Sequence, residues 1–216
     1  MPAIAVVTIT AANTNDRSVS ETYEEGLRYF MGSGTVNNTL ARLAADLKSH
    51  NIDYVVIGAV ALLAHGYPRF TEDIDLVMTH EGLEKFHREL IGLGYAPAFP
   101  QVKKRLRATE EGLSIDVMLA GEYPGDGKPK PVAIPDPKSA AVEIDGVRFV
   151  TLEKLIELKL ASGMTAPDRL KDLADVQELI RIRQLQPEFA ERLDPYVREK
   201  FLELYETIKQ MPKDEE

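Results

Sequence analysis

The hydrophobic residues in the first half of the chain change from helical spacing to strand spacing and back. In TVNNTLARLAADLKSHN, Leu40, Leu43 and Leu47 recur at the interval of one helical face. The β-branched segment DYVVIG comes next, and the Ala- and Leu-rich segment AVALLAHG follows it directly. We therefore predict a strand that ends at Gly58, a glycine turn, and a helix closed by Gly66.

A second strand and a second helix are predicted immediately downstream. The segment RFTEDIDLVM has the composition of a strand, and in THEGLEKFHRELIGLG the residues Leu83, Phe86 and Leu90 keep helical spacing. The segment VKKRLRATEEGLSIDVML predicts two strands on either side of the turn EEG. These strands should form an antiparallel hairpin, whose second arm carries Asp116.

The remaining pattern divides the chain into parts. Residues 1–19 have no sustained period and predict an N-terminal arm, after which SETYEEGLRYFM predicts a short helix with Ser20 as its N-cap. The segment GEYPGDGKPKPVAIPDPKSA holds too much proline and glycine for a regular element, and AVEIDGVRFV predicts one short strand after it. We expect a domain with a small mixed sheet and helices over residues 20–150 and a helical region over residues 151–216.

Composition limits the classes of protein and of metal site. With 216 residues, 44% of them hydrophobic, the chain is long enough for one good core, or for one domain with a smaller helical partner. It contains no cysteine, which excludes disulfides and leaves carboxylates and histidines as metal ligands. The segment MPAIAVVTIT lacks the basic region of a signal peptide, and no apolar run approaches the roughly 20 residues of a membrane span. We expect a cytoplasmic protein without a membrane partner.

The charge of the chain bears on its partners. A net charge of −9 and a pI of about 5.1 argue against strong non-specific binding of nucleic acid. Two local groups of basic residues remain, KKRLR over residues 103–107 and RIR over residues 181–183. Each group is either a contact surface or a solvated face of a strand or helix.

Two aspartates in the segment DIDLVM indicate a metal-dependent site. Side chains alternate along a strand, so Asp73 and Asp75 share one face while Ile74 and Leu76 can serve the core. Carboxylates so close together repel each other unless a cation lies between them, and Mg²⁺ binds one or two carboxylates together with phosphate oxygens. Asp116 in LSIDVML offers a further carboxylate, and such a set suits two-metal phosphoryl-group chemistry. The alternative is that the Asp-x-Asp is only an exposed strand face.

The residues around these aspartates carry a family resemblance. The order Ile57-Gly58-Ala59, then Asp73-Ile74-Asp75, then a later strand aspartate resembles the nucleotidyltransferase (polymerase beta-like) superfamily, although that superfamily usually has Gly-Gly or Gly-Ser in the turn. Within it, GAVALLAHGYPRFTEDIDLVM is similar to bacterial nucleotidyltransferases grouped with abortive-infection type IV toxins, in which an arginine and a threonine, here Arg69 and Thr71, precede the Asp-x-Asp. The segments LKLAS and DRLKDLADV match later motifs, and the resemblance spans roughly residues 40–182.

This resemblance implies a fold, an activity and a set of site residues. The fold would be α+β, a small mixed sheet with flanking helices followed by a C-terminal helical region, with residues 20–150 as the catalytic domain. The activity would be transfer of a nucleoside monophosphate from a nucleoside triphosphate to an acceptor hydroxyl, with Mg²⁺, or Mn²⁺, as the cofactor. The metal ligands would be Asp73, Asp75 and Asp116, and the catalytic residues would be these together with Lys159 and Asp172. The nucleotide would be bound by Gly58, Ala59, Arg69, Thr71, Lys159 and Arg169.

Residue spacing supports some of these roles and leaves alternatives open. Lys159 lies on the apolar stripe of its helix, where it either binds an anion or extends its amine to solvent. Arg169 is spaced to lie on the inward side of the next helix, but with Asp172 it could form only a local ion pair. The turn at Gly58 could present amides to phosphate, or its glycine could serve geometry alone. His65 is better explained as a helix-end cap or a packed side chain than as a catalytic group.

The acceptor is open at this stage. The resemblance implies tRNA 3′ ends or a protein side chain, and it leaves room for a cognate antitoxin as a partner, whereas small antibiotics are acceptors elsewhere in the superfamily. An alternative function is a non-catalytic nucleotide- or partner-binding module that keeps the nucleotidyltransferase fold. A third interpretation is an unrelated α/β protein in which the Asp-x-Asp is structural.

Overall fold

The structure is a computed structural model, and it describes residues 18–210 of the chain. In this part of the chain, seven strands form one mixed sheet, and helices surround it. The strands are β1 (Tyr54–Ile57), β2 (Asp73–Met78), β3 (Tyr95–Pro97), β4 (Arg105–Ala108), β5 (Leu113–Leu119), β6 (Ala141–Ile144) and β7 (Val147–Val150). The helices are α1 (Val19–Phe30), α2 (Thr35–Ser49), α3 (Gly58–Ala64), α4 (His80–Glu89), α5 (Leu152–Thr165), α6 (Leu170–Ile182) and α7 (Pro195–Gln210).

Strand β2 lies at the centre of the sheet, whose strand order is β3-β4-β5-β2-β1-β7-β6. It pairs in parallel with β5 and antiparallel with β1, and β1 pairs in parallel with β7. Residues that alternate with the aspartates, such as Ile74 and Ile115, are fully buried. On the same face, the Tyr95 hydroxyl donates to Asp46 of α2 at 2.6 Å, and the Tyr95 ring packs edge-on against Phe86 of α4. Helices α2 and α4 therefore cover the apolar face, and the aspartates project from the opposite one.

Most of the predicted strands and turns are confirmed. The strand, glycine turn and helix around Gly58 are β1 and α3, and the EEG hairpin is formed by β4 and β5 with Arg105 opposite Asp116. The single strand predicted over AVEIDGVRFV is wrong, because β6 and β7 form an antiparallel hairpin there. Its turn has positive φ at Asp145 (50°) and Gly146 (80°), as do the two-residue turns that match the twist of paired strands.

Helix α1 begins at a different cap from the one predicted. The prediction of Ser20 is wrong: the N-cap is Ser18, whose hydroxyl accepts a hydrogen bond from the Glu21 amide, while the Glu21 carboxylate accepts one from the Ser18 amide. Residues 1–17 of the predicted arm lie outside the described residues. Within residues 18–210, no helix is both long enough and apolar enough to cross a membrane.

The C-terminal region is helical, as predicted. Helices α5, α6 and α7 are joined through 3₁₀ turns at Pro167–Arg169 and Pro187–Arg192. Helices α5 and α6 approach closely because Gly163 has no side chain: a Cβ there would lie 2.5 Å from Leu173 Cγ. This approach brings polar side chains of the two helices together. The predicted α+β class, with a mixed sheet, flanking helices and a helical C-terminal region, is confirmed.

Candidate active site

Three carboxylates converge at the adjoining strands β2 and β5. Asp75 lies directly opposite Asp116 in the parallel register, and Asp73 precedes Asp75 on the same face of β2. One oxygen from each of the three carboxylates lies within 4.8 Å of the other two, and all three residues are partly buried. The structure thus brings together the residues expected to bind metal.

The electrostatics of this cluster fit a divalent cation. Burial, and then the negative charges of Asp73 and Asp116, raise the pKa of Asp75 to about 6, although Lys159 and Lys171 act in the opposite direction. Ionisation of all three carboxylates is therefore unfavourable unless a cation is near. Carboxylate oxygens with this spacing are ligands that Mg²⁺ and Mn²⁺ prefer, so the residues present fit such an ion.

A glycine with a left-handed backbone gives the Asp75 carboxylate its room. Gly58 has a φ of +66°, and a Cβ placed on it would lie 1.9 Å from Asp75 Oδ2. Any other residue would be strained by that φ and would displace the carboxylate. Ala59 follows within α3 and is buried. The turn therefore has a geometric requirement for its glycine, whether or not its amides also contact phosphate.

A cleft of about 230 Å³ lies between the β2 aspartates and helices α5 and α6. Every expected site residue except Asp116 lines it: Gly58, Ala59, Arg69, Thr71, Asp73, Asp75, Lys159, Arg169 and Asp172. Asp116 lies next to Asp75 on the neighbouring strand. An apolar part of the wall is formed by Met118, Pro124, Ile134, Leu155 and Leu158. The cleft therefore combines a polar wall for charged groups with an apolar wall for a flat or apolar group.

Lys159 is buried and bound by carboxylates of α6. Its Nζ donates to Asp172 Oδ1 at 3.0 Å and to Asp175 Oδ2 at 2.7 Å, and the residue is only 7% exposed. The Ser162 hydroxyl donates to the other oxygen of Asp172 at 2.7 Å. Burial alone would raise the pKa of Asp172, but the Lys159 charge and the Ser162 hydroxyl hold it below its usual value. Lys159 thus binds anions, as its position suggested, and these are the carboxylates of Asp172 and Asp175. The alternative, an amine extended to solvent, is wrong.

Arg69 belongs to the same ion cluster. Its Nη1 donates to Asp175 Oδ2 at 2.5 Å, so Asp175 accepts hydrogen bonds from both cations. Asp175 is 4% exposed. Since two cations face two carboxylates here, Arg69 and Lys159 reach the cleft with their charges already balanced.

Arg169 and Lys171 differ from these cations because both are exposed while they line the cleft. Within the described part of the chain, neither is in an ion pair. The expectation that Arg169 lies on the inward side of a helix is wrong, because the chain forms a 3₁₀ turn at Pro167–Arg169 and helical spacing does not extend back to it. The alternative, a local ion pair of Arg169 with Asp172, is also wrong, since Asp172 is bound by Lys159 and Ser162.

Thr71 and His65 both have partners in the structure. The Thr71 hydroxyl donates to Asp73 Oδ1, which fixes that carboxylate at the start of β2. His65 is the C-cap residue of α3, and its Nε2 lies 2.7 Å from the Val150 carbonyl oxygen. Burial lowers the pKa of His65, and because a carbonyl oxygen can only accept a hydrogen bond, Nε2 is the donor. The structural role predicted for His65 is confirmed.

Two contacts at the candidate site escaped the sequence analysis. Arg105 binds both oxygens of Asp116, Nε to Oδ1 at 2.9 Å and Nη2 to Oδ2 at 3.3 Å. The EEG turn carries a signal for this pair, because a hairpin turn sets its register, but KKRLR suggested only a basic surface. Asp175 lies in the matched segment DRLKDLADV without an assigned role, and no local pattern connects it to Arg69.

Structural comparison identifies the fold. ANT(2″)-Ia in complex with adenylyl-2″-tobramycin is 19% identical, with 79% of this chain and 99% of that chain covered and a TM-score of 0.52. The solution structure of the antibiotic-resistance factor ANT(2″)-Ia is 18% identical, with 81% and 96% covered and a TM-score of 0.52. An antigenic nucleotidyltransferase-like protein from Paracoccidioides brasiliensis is 16% identical, with 81% and 88% covered and a TM-score of 0.47. At these identities the first two likenesses establish the fold alone, which is the expected nucleotidyltransferase fold.

Sequence comparison identifies the family. No curated protein sequence matches the chain. The family described as "Nucleotidyl transferase of unknown function (DUF2204)" matches residues 36–211, a range that contains all the carboxylates and cations of the site described above. The chain therefore belongs to this family of nucleotidyl transferases.

Proposed function

We propose that this protein is a nucleotidyltransferase that uses Mg²⁺ or Mn²⁺. It transfers a nucleoside monophosphate from a nucleoside triphosphate to an acceptor hydroxyl. The acceptor oxygen forms a bond to the α-phosphorus, the bond from that phosphorus to the bridging oxygen of the β-phosphate breaks, and pyrophosphate leaves. The observation that carries the proposal is the carboxylate group of Asp73, Asp75 and Asp116 beside a cleft lined with cations.

Two of the carboxylates serve the nucleotide, and the third serves the acceptor. Asp73 and Asp75 would hold one divalent metal ion, and Asp116 would complete a second metal site. Metal ions bound there would neutralise the charge that develops on phosphate and acceptor oxygens. Asp116 is on the side of the cluster next to β4, whose residues on this face are exposed, so it orients the acceptor hydroxyl or takes its proton.

The triphosphate lies in the cleft and meets two kinds of cation. Arg169 and Lys171 are exposed and unpaired in the described chain, so they contact phosphate oxygens directly. Arg69 and Lys159 contribute to nucleotide binding only where phosphate shares them with the carboxylates of α6. Direct contact with the triphosphate therefore depends most on Arg169 and Lys171.

The remaining proposed residues position the reacting groups. Thr71 orients Asp73, and the amides of Gly58 and Ala59 at the start of α3 face phosphate. Lys159 and Asp172 act in catalysis by joining α5 to α6 beside the carboxylates. Orientation and preorganised charge supply most of the rate acceleration in such a site, because no covalent intermediate with the protein is needed.

Charge beside Asp116 favours an anionic acceptor. Lys103, Lys104, Arg105 and Arg107 are all exposed on or next to β4. Lys104 is paired with Glu122 and Arg105 with Asp116, which leaves Lys103 and Arg107 available. Tobramycin, the acceptor moiety in the ANT(2″)-Ia complex, is a polyamine and would be repelled here. RNA, as in the resemblance to toxin enzymes, fits this surface better, and a protein hydroxyl in an acidic segment is the second candidate.

Label transfer tests the proposal. The protein is incubated with each α-³²P-labelled nucleoside triphosphate, Mg²⁺, total RNA and cell protein, beside the Asp73→Ala/Asp75→Ala variant. We expect label on RNA or protein with the wild type only, and the labelled nucleotide identifies the base preference. Transfer that survives the double substitution would contradict the role of the aspartates.

Charge reversal tests the acceptor surface. Lys103→Glu/Lys104→Glu should reduce RNA labelling, because repulsion replaces attraction beside Asp116. Lys200→Glu/Lys209→Glu makes the same charge change on α7, which packs on α5 and α6 rather than on β4, and should leave labelling intact. Equal labelling by both double variants would exclude this surface as the RNA contact.

A non-catalytic nucleotide-binding module is the second candidate function. The observation that favours it is the internal pairing of Arg69 and Lys159, which leaves fewer free cations for a triphosphate. Calorimetric binding of a nucleoside triphosphate with Mg²⁺, without label transfer to any acceptor, would support this alternative. Transfer that depends on Asp75 would exclude it.

The resemblance to abortive-infection toxins supports finer proposals. The enzyme is cytoplasmic, is toxic to its host cell and is neutralised by a cognate antitoxin. Residues 20–150 belong to the catalytic domain, and the helical region begins at residue 151. Growth arrest on expression that Asp73→Ala/Asp75→Ala abolishes would support the toxin role, and unimpeded growth with active enzyme would contradict it.

A further inference from the structure

We propose that Arg105 competes with a divalent cation for Asp116 and thereby weakens metal binding at the carboxylate cluster. The inference rests on the proposed function, because it requires a metal at Asp73, Asp75 and Asp116. It concerns a contact between neighbouring strands that places a fixed positive charge where a second ion would bind.

The contact occupies both oxygens of Asp116. Arg105 Nε donates to Oδ1 at 2.9 Å, and Nη2 donates to Oδ2 at 3.3 Å, so the guanidinium binds the carboxylate in a bidentate manner. The antiparallel register holds the two residues directly opposite each other on the face that carries Asp75. Any ion that binds Asp116 must therefore share or displace these hydrogen bonds, and it must approach a like charge.

Among residues 18–210, neither Asp73 nor Asp75 is in an ion pair, although the charge of Arg105 also acts on Asp73 from a distance. Asp73 accepts a hydrogen bond from the neutral hydroxyl of Thr71. The Asp75 carboxylate faces the Gly58 turn, and the cations that influence it, Lys159 and Lys171, belong to the opposite wall of the cleft. The first ion can thus bind at Asp73 and Asp75 without breaking an ion pair, whereas an ion at Asp116 cannot.

The pair can open without disturbing the fold. The Arg105 side chain is 54% exposed and that of Asp116 is 30% exposed. Arg105 belongs to β4, whose inward residues Leu106 and Ala108 are fully buried and hold the strand in place. Displacement of the guanidinium into solvent therefore changes one side chain only. An ion can then bind at Asp116 when the hydrogen bonds from Arg105 break.

Two opposite effects of Arg105 can be distinguished by experiment. If Arg105 competes with the ion, its removal tightens metal binding. If Arg105 instead holds Asp116 in the orientation that binds metal, its removal weakens metal binding. Arg107 provides a matched control, since it lies on the same face of β4, opposite Ser114, and carries the same charge without contacting the cluster.

The test measures Mn²⁺ binding to the full chain by electron paramagnetic resonance of the free ion. We expect Arg105→Gln to tighten the weaker Mn²⁺ site about tenfold and Arg107→Gln to stay within about twofold of wild type. Arg105→Lys should have a smaller effect than Arg105→Gln, because lysine keeps the positive charge and loses only the bidentate contact. Circular dichroism confirms that each variant is folded.

Unchanged or weaker Mn²⁺ binding by folded Arg105→Gln would overturn the proposal, as would equal tightening in Arg107→Gln. The proposed function has its own outcome in the same experiment. If neither wild type nor Arg105→Gln shows Mn²⁺ binding that Asp73→Asn/Asp75→Asn removes, the metal role of the cluster fails, and the competition fails with it.

Discussion

Replacement of Asp75 by asparagine should stabilise the metal-free protein at neutral pH. Burial and the charges of Asp73 and Asp116 raise the pKa of Asp75 to about 6 from an ordinary value of 3.8. Because one pKa unit corresponds to about 1.4 kcal/mol, the ionised carboxylate costs the folded state about 3 kcal/mol. Asparagine has nearly the same shape without the charge, so the variant avoids this cost.

The sign of the pH dependence follows from the direction of the shift. The folded-state pKa is the higher one, so the stabilising contribution of the Asp75 proton is fully present below pH 3.8 and is lost as the pH rises through about 6. The advantage of Asp75→Asn over wild type should therefore be small near pH 4, grow between about pH 4 and pH 6, and reach about 3 kcal/mol above about pH 7.

Urea unfolding in EDTA at both ends of this pH range measures the difference. Glu206→Gln removes one negative charge from an exposed position on α7 and should change the free energy of unfolding by less than about 0.5 kcal/mol. Added Mn²⁺ should reduce the difference in stability between Asp75→Asn and wild type, because only wild type keeps all three carboxylate ligands. An Asp75→Asn variant that is no more stable than wild type at neutral pH, or equally stabilised at both pH values, would refute the reasoning.

Three further predictions concern the glycine turn, the ion cluster and the exposed cations. Gly58→Ala should abolish transfer, because the new Cβ would lie 1.9 Å from Asp75 Oδ2. Gly112 has a similar φ of +71° but no atom within 4 Å of a Cβ, so Gly112→Ala should only lower stability. Equal activity of the two variants would contradict this prediction. Asp175→Asn should lower the free energy of unfolding by about 3 kcal/mol, since two cations lose a buried partner, and a loss below about 1 kcal/mol in thermal unfolding would oppose that interpretation. Lys171→Gln should raise the calorimetric Kd for a nucleoside triphosphate about tenfold at unchanged stability, and an unchanged Kd would remove this residue from the nucleotide site.

The sequence could predict the parts of the site that depend on short-range geometry. Alternation along a strand places Asp73 and Asp75 on one face, and the EEG turn brings β4 and β5 together as a hairpin. The parallel register of Asp75 with Asp116 depends instead on a long crossover between β2 and β5, which no local pattern specifies. The strand pattern offered Asp116 as a further carboxylate, and the family resemblance implied that it belongs to the same site as Asp73 and Asp75.

The contacts between distant segments could not be predicted. Arg69 and Asp175 are 106 residues apart, and their ion pair depends on how α6 packs beside the loop before β2. Arg169 was misplaced because helical spacing was extended back by one residue beyond the start of α6 at Leu170, into the 3₁₀ turn Pro167–Arg169. The β6–β7 hairpin did have a local signal, Asp145-Gly146, which is a strong two-residue turn sequence.

The most direct test of the central claim compares the fate of the α- and γ-phosphates. The protein is incubated with Mg²⁺, total RNA and a nucleoside triphosphate labelled with ³²P at either position, and label is measured on the acceptor and in pyrophosphate. The account predicts acceptor labelling from the α-labelled nucleotide only, γ-label in pyrophosphate, and loss of both with Asp75→Asn. Acceptor labelling from the γ-labelled nucleotide, or transfer that survives Asp75→Asn, would contradict the assignment of these aspartates as a nucleotidyltransferase centre.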